Sequence, residues 1–323
     1  MPLEDPQELF HYTSISGLKG ILESQTLWAT HYKYLNDKEE IIHFQPRMKK
    51  LISSILKQIN RDRQIRLSPK DLKKIAVCIT KGNALLLGDE ANLPLAEPYV
   101  ASFCRAGNKN IKKHGLLSQW RGYGQGGGCA IVFDAPVLKN LVGEEGNNWS
   151  YSFLHGGDVV YSDASEKEIQ QEIGHHLKTL KQGFAEFLAT LQSEPNPEPP
   201  EKTYSPLLAA ACRYKHWGFK EEKEFRIVAV PSSSEAVNEL RRQRGDSVKE
   251  KPKEHFMRSC TAVPYINLFE GLTYSPAKRL PIRRILIGPH PEKEKRKTEI
   301  QILLNQLGIR AEVSMSEIPY LGQ

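Results

Sequence analysis

Glu222 and Glu224 stand two residues apart in the stretch FKEEKEFRIV, Phe219 to Val228, with Arg226 two further on. Side chains alternate along an extended strand, so a strand here places Glu222, Glu224 and Arg226 on one face and Phe225, Ile227 and Ala229 on the other. A strand-borne carboxylate held beside an arginine suits the stabilisation of positive charge developing on a reacting centre. The plain alternative is an exposed sheet face with a surface salt bridge, which contributes little.

Two further clusters have chemical potential. Phe10-His11-Tyr12-Thr13 sits at the end of an expected strand, just before a helix. Imidazole and hydroxyl groups there can hydrogen-bond a ribose and receive an anionic phosphate. A packed His-Tyr pair explains the same residues equally well. In Gln119-Trp120-Arg121-Gly122-Tyr123-Gly124, two aromatics bracket a guanidinium, and glycines let the backbone approach a ligand. That combination suits stacking on a flat ring and holding a phosphate, although Trp and Tyr also anchor cores. A second pair, His31-Tyr32, takes a packing role.

Other chemistries lack their residues. No G-x-x-x-x-G-K followed by Ser or Thr is present, no G-x-G-x-x-G follows the first strand, and there is no G-x-S-x-G elbow. The five cysteines, Cys78, Cys104, Cys129, Cys212 and Cys260, are scattered without a C-x-x-C and without a nearby histidine at metal spacing, so no zinc site is expected. No clustered Asp/Glu/His set suggests a metal-dependent nuclease.

A helix follows Thr13 and Ser14, either able to cap it, with Ile15, Leu18, Ile21 and Leu22 at helical spacing. LWATHYKYL looks extended, and a second helix is expected from Asn36, with Glu39 completing a capping box. IAVCI, YVASFC and GGGCAIVFD read as strands, and residues 164 to 192 as a long helix. SEPNPEPPEK, Ser193 to Lys202, is a Pro/Glu linker. Then LLAAACRYKHW reads as helix, KEFRIVAV as strand, and the C-terminal third as strand–helix–strand. Strands and helices mix without strict alternation, so the class is α+β.

Charge is unevenly placed along the 323 residues. The net charge is +7, but Pro46 to Lys74 holds ten Lys/Arg against two Asp/Glu, and Lys278 to Lys297 eight against two. Glu144 to Glu201 holds eleven acidic against three basic residues. Segregated basic stretches suggest a phosphate-rich partner, with Arg61, Arg63, Arg66, Lys73 and Lys74 as the nucleic-acid-facing candidates. Any single charge run is more often a solvated helix face. No apolar run approaches the ~20 residues that cross a bilayer. The opening MPLEDPQELF lacks the basic and apolar regions of a signal peptide, so a cytoplasmic protein is expected.

Taken together, these clusters resemble an uncharacterised bacterial family, the domain of unknown function numbered twenty-nine seventy-one. The resemblance rests on His11-Tyr12-Thr13, Leu35-Asn36-Asp37, Trp120 to Tyr123, Phe133-Asp134, Glu224-Phe225-Arg226 and Ile287-Gly288-Pro289. The order histidine, aromatic, strand glutamate also resembles the NAD-binding layout of ADP-ribosyltransferases, most closely the toxin branch that modifies DNA bases.

That likeness implies one domain over residues 1–323 with a mixed split β-sheet core. A basic helical insertion would fall at about 40–75, and an acidic helix with the Pro-rich linker at about 164–203. It implies that NAD is the substrate, that no metal is needed, and that His11, Tyr12, Thr13, Trp120, Arg121 and Tyr123 form the NAD site. His11 would hydrogen-bond the ribose, and Tyr123 or Trp120 would stack on nicotinamide. Glu224 would bind the nicotinamide ribose 2′-hydroxyl and support an oxocarbenium-like transition state, while Glu222 activates the acceptor. The expected protein is a toxin or antiphage-defence effector acting on nucleic acid, held in check by an antitoxin or regulatory protein. Alternatives are a protein-directed transferase or NAD glycohydrolase, and a non-catalytic nucleotide- or nucleic-acid-binding module.

Overall fold

The computed structural model describes residues 8–35, 97–123, 127–190, 212–271 and 279–319, with isolated positions between 54 and 68. The expected second helix from Asn36, the IAVCI strand and the Pro/Glu linker lie outside the described residues or almost wholly so. The fold is a mixed α+β arrangement.

Ten strands form one sheet among the described residues. One arm runs β12 (Glu312–Met315), β11 (Ile282–Ile287), β4 (Cys129–Asp134) and β1 (Glu8–Thr13). The other runs β9 (Glu254–Arg258), β10 (Thr261–Leu268), β2 (Leu27–His31) and β3 (Tyr99–Cys104). On its far edge β3 pairs along its length with β8 (Glu224–Pro231), which pairs in turn with β5 (Tyr151–Asp158). A two-strand pair, β6 (Val160–Tyr161) with β7 (Tyr214–Lys215), stands apart.

The edge of β3 that meets both arms is forked. At its start Tyr99 and Val100 pair with His31 and Thr30 of β2, while at its end Cys104 pairs with Phe10 of β1. Ala101, Ser102 and Phe103 lie between the two arms. The sheet therefore opens along the middle of β3.

One face of the sheet is closed by an apolar core that joins both arms, from Leu9, Ile131 and Ile285 through Phe103 to Phe225, Ile227 and Ile266. Helix α1 (Ile15–Ser24) covers part of it with Leu18 and Leu22. Its first turn is capped by Ser14, whose hydroxyl accepts from Gly17 N. The helices between Lys109–His114 (α2) and Leu117–Tyr123 (α3) lie against the opposite face, where Trp120 joins Phe10, Tyr12 and Cys104. Two more helices, α4 (Ala135–Asn148) and α5 (Glu166–Thr190), follow β4 and β6; the second carries the acidic run and buries Ile173, Leu180, Phe184 and Phe187. Helix α6 (Ser234–Arg244) follows β8, and α7 (Lys293–Leu307) joins β11 to the parallel β12. The last three elements follow the strand–helix–strand pattern read from the C-terminal third.

Two expectations are corrected here. Tyr214–Lys215 is strand, where the segment read as helix. Glu222 closes a 3-10 turn, Trp217–Glu222, and Lys223 takes a left-handed conformation before β8 begins at Glu224. The strand is also buried on both faces along its whole length, so its carboxylate is not part of an exposed polar surface.

Candidate active site

The fork opens into a cleft on the sheet face opposite the main core. Its floor is β3 from Val100 to Cys104, one end holds Lys215, Glu222 and Glu224, and Trp28, Tyr34 and Arg258 line it too. Cys104 pairs with Glu224 and Ser102 with Arg226 across β3 and β8, so the ionic side chains rise beside the fork itself.

His11 reaches this cleft from an unexpected direction. Alternation along β1 puts it with Leu9 on the core face, against the Phe103 ring at 5.6 Å, yet it lines the cleft where the arms part. Its Nδ1 lies 3.0 Å from the Ser102 carbonyl oxygen. A carbonyl only accepts, so Nδ1 carries the proton and Nε2 keeps its lone pair. Burial lowers the pKa below the ordinary histidine value, and the Ser102 bond opposes this without reversing it. The ring is neutral near pH 7, with an acceptor nitrogen that has no hydrogen bond among the described residues.

The two glutamates are bound together by one lysine. Lys215 Nζ donates to Glu222 Oε2 at 2.7 Å and to Glu224 Oε2 at 2.8 Å. Arg226 grips Glu224 as well, Nε to Oε1 at 2.7 Å and Nη2 to Oε2 at 3.0 Å, and donates Nη1 to the Cys212 carbonyl. Glu224 is 3% exposed. Its burial alone would raise the carboxyl pKa, but Arg226 and then Lys215 outweigh it and hold the value at about 2. Glu222 moves the other way. Burial lifts it above the ordinary glutamate value, and Glu224 adds to the lift, against the pull of Lys215. Adjacent carboxylates separated in proton affinity can divide acid–base work between them. Glu224 also touches a second cleft, lined by Arg105, Asp158, Tyr161 and Glu172 among others, and Tyr161 Oη accepts from Glu224 N.

The remaining expected residues separate into two groups. Tyr123 is 44% exposed and lines the cleft. Trp120 does not: it is 5% exposed, packs edge-on to Tyr12 at 4.8 Å and donates Nε1 to the His114 carbonyl. Between the two candidates for stacking, the cleft holds Tyr123. Tyr12 touches the cleft but spends its hydroxyl on Leu116 N. Thr13 and Arg121 are outside the lining. His31 is buried among Tyr32, Tyr34 and Tyr99, and its Nδ1 accepts from Lys33 N, which makes it a packing residue. Arg61 is exposed; Arg63, Arg66, Lys73 and Lys74 lie outside the described residues.

A family model described as Protein of unknown function (DUF2971) matches residues 119–227. The matched span is less than half of the chain. It begins at Gln119, on the cleft wall, and takes in Tyr123, Lys215, Glu222, Glu224 and Arg226; His11, Trp28 and Arg258 stand outside it. No curated protein and no solved structure matches the chain.

Sequence reading missed Lys215, Trp28 and Arg258. Lys215 was hidden in a segment with helical composition, and only the β7 geometry turns its ammonium toward both glutamates. Trp28 and Arg258 come from strands that pair through β10, and no local pattern relates positions so far apart. Among the described residues no group of three or more His, Cys, Asp or Glu could hold a metal ion, and no helix is long and apolar enough to cross a membrane.

Proposed function

We propose that the cleft binds NAD and that the chain is an NAD-dependent ADP-ribosyltransferase with a nucleic-acid acceptor. The observation that carries this reading is the carboxylate pair at the fork: Glu224 held ionised, Glu222 shifted toward protonation, and neutral His11 entering the same cleft. The opening along the middle of β3 supports it too, because a sheet that parts between two arms leaves room for a ligand at the fork.

In this scheme His11 Nε2 accepts a ribose hydroxyl and Tyr123 stacks on nicotinamide. The C1′–N bond breaks with its electron pair leaving on the nicotinamide nitrogen, and positive charge builds on the sugar. Glu224 stabilises that charge as a preorganised carboxylate. The acceptor attacks C1′ and passes its proton to Glu222, whose raised affinity suits a base. Water in the acceptor's place gives free ADP-ribose.

One observation favours a second reading. Both Glu224 oxygens already accept from cationic donors, which balances the charge the sugar would need. A cleft built on such an ionic lock also suits a module that binds a nucleotide without cleaving it. Nicotinamide release from NAD, followed by mass spectrometry of nucleic acid and protein for added ADP-ribose, separates the two. Release and a modified nucleic acid support the transferase; NAD binding without release supports the module.

A further inference from the structure

We infer that the mouth of the same cleft carries a stacking shelf, Trp28 with Arg258, which seats a base of single-stranded nucleic acid. This rests on the transferase reading for its consequence, since it names the acceptor class, but the binding itself requires no NAD.

The shelf is assembled from three strands. Trp28 and Thr30 of β2 point away from the main core, opposite to Leu27 and Ala29, and both line the cleft. Behind Trp28 stand Tyr265 of β10, with ring centroids 4.2 Å apart and planes 30° apart, and Phe256 of β9, at 5.2 Å and 33°. The backing is pinned: Glu254 accepts from Tyr265 Oη at 2.7 Å and from Asn267 Nδ2 at 2.7 Å. Two tilted ring contacts hold the indole in place, yet Trp28 remains 47% exposed. Core packing accounts for the buried half of that ring and gives no reason for the open half.

Arg258 supplies the charge. Its guanidinium carbon lies 5.5 Å from the Phe256 ring centre, and Nη1 donates to the Tyr34 carbonyl at 2.8 Å. It forms no ion pair with a carboxylate among the described residues, unlike Arg226 or Arg105. A fixed indole face beside an uncompensated guanidinium selects a flat ring joined to an anion, which describes a nucleotide.

Openness favours a polymer over a small nucleotide. Pockets for small ligands enclose most of the ligand surface. Here the shelf lies at the edge of the sheet: on the side of β9 that carries Phe256, both Glu254 and Arg258 are exposed. A strand of nucleic acid can continue over that surface with one base on Trp28 and a phosphate at Arg258. The shelf and the Glu222–Glu224 pair line one cleft, so a seated strand lies alongside the reacting centre.

The test is fluorescence anisotropy of labelled single-stranded and duplex oligonucleotides with the full chain, in the absence of NAD and over a range of salt. Wild type is expected to bind the single strand more tightly. Trp28→Ala should weaken it about tenfold or more with the salt slope unchanged, and Trp28→Phe should restore most of the loss. Arg258→Ala should weaken it and flatten the slope by about 0.7, the value for one phosphate on a single strand. Melting temperatures check folding, and Arg258→Ala, at an exposed side chain, keeps the test valid if Trp28→Ala is unstable. Unchanged oligonucleotide binding in both Trp28→Ala and Arg258→Ala overturns the proposal, as does a shelf that binds ADP or NAD but no oligonucleotide. Oligonucleotide binding that depends on Trp28, with no NAD cleavage under any condition, leaves the shelf standing and removes the transferase reading.

Discussion

Arg226 holds Glu224 from two residues further along the same strand, with Nε 2.7 Å from Oε1 and Nη2 3.0 Å from Oε2. Strand periodicity makes this possible, because positions two apart project to the same side. Both groups are buried, so removing Arg226 leaves Glu224 in the interior with Lys215 as its remaining cationic donor. Arg226→Met should therefore destabilise the fold by about 3–5 kcal/mol in denaturant unfolding. Arg226→Lys should recover only part of it, since an ammonium cannot reproduce the two-point grip. A loss below about 1 kcal/mol in Arg226→Met would mean that the pair behaves as a surface salt bridge.

Trp120 and Tyr123 should part company when each is replaced. Trp120→Ala removes a buried ring from the cluster with Tyr12 and Phe10, and should cost about 3–5 kcal/mol of stability. Tyr123→Ala touches a half-exposed ring and should change stability little while weakening NAD binding; Tyr123→Phe should retain the affinity. Calorimetric titration with NAD, beside thermal melts, checks both. Equal NAD affinity in wild type and Tyr123→Ala would remove Tyr123 from the ligand site.

His11→Ala deletes the acceptor nitrogen and leaves the Ser102 carbonyl unpaired at the fork. NAD affinity should fall by about tenfold, equal to roughly 1.4 kcal/mol and within the range for a lost hydrogen bond. His11→Gln offers an acceptor at a different reach and should fall between. Isothermal titration at pH 7 reads the difference, and an unchanged affinity would take His11 out of the site.

Stability should depend on pH in a defined direction. Burial lowers the pKa of His11 and brings that of His31 to about 4, both from 6.5. Below pH 6.5 the unfolded chain binds protons that these folded histidines refuse, so stability falls as pH drops from 6.5 toward 4. Glu224, held at about 2 against 4.5 when unperturbed, stabilises the fold fully above 4.5 and loses that contribution between 4.5 and 2. Unfolding midpoints measured from pH 7.5 to 4 should decline. His31→Phe should flatten the upper part of that decline, and a pH-independent midpoint would contradict the buried neutral histidines.

The basic stretch gives a separate test of the acceptor. Reversing Arg61, Arg63, Arg66, Lys73 and Lys74 should weaken nucleic-acid binding and reduce its salt dependence, roughly in proportion to the phosphates no longer neutralised. Cleavage of free NAD should stay near wild type. Salt-independent binding by the unmodified chain would remove the electrostatic argument for this segment.

Local pattern made much of the framework legible. YVASFC, GGGCAIVFD, KEFRIVAV and the C-terminal strand–helix–strand all announced their elements, because alternation and β-branched content act over a few residues. The chemistry was harder to place. Glu222 and Glu224 look like one strand face in sequence, but the left-handed Lys223 puts Glu222 on a turn, and only tertiary pairing brings Lys215 between them. Trp120 and Tyr123 look alike in sequence as well. Their fates diverge because a helix turns one inward against Tyr12 and leaves the other at its end. Trp28 and Arg258 had no signal at all, since 230 positions separate residues that a shared neighbour, β10, brings to one cleft.

Glu224 is the centre of the proposed chemistry, and the most direct measurement is nicotinamide release from NAD by Glu224→Gln, beside wild type and Glu222→Gln, with melting temperature and NAD affinity recorded on the same samples. Glutamine keeps the shape and removes the charge that faces the sugar. Turnover should fall by about a hundredfold or more at nearly unchanged NAD affinity, because the missing interaction is made in the transition state. In Glu222→Gln, transfer to an acceptor should suffer more than hydrolysis. Near-wild-type nicotinamide release by folded Glu224→Gln would rule out Glu224 as the catalytic carboxylate.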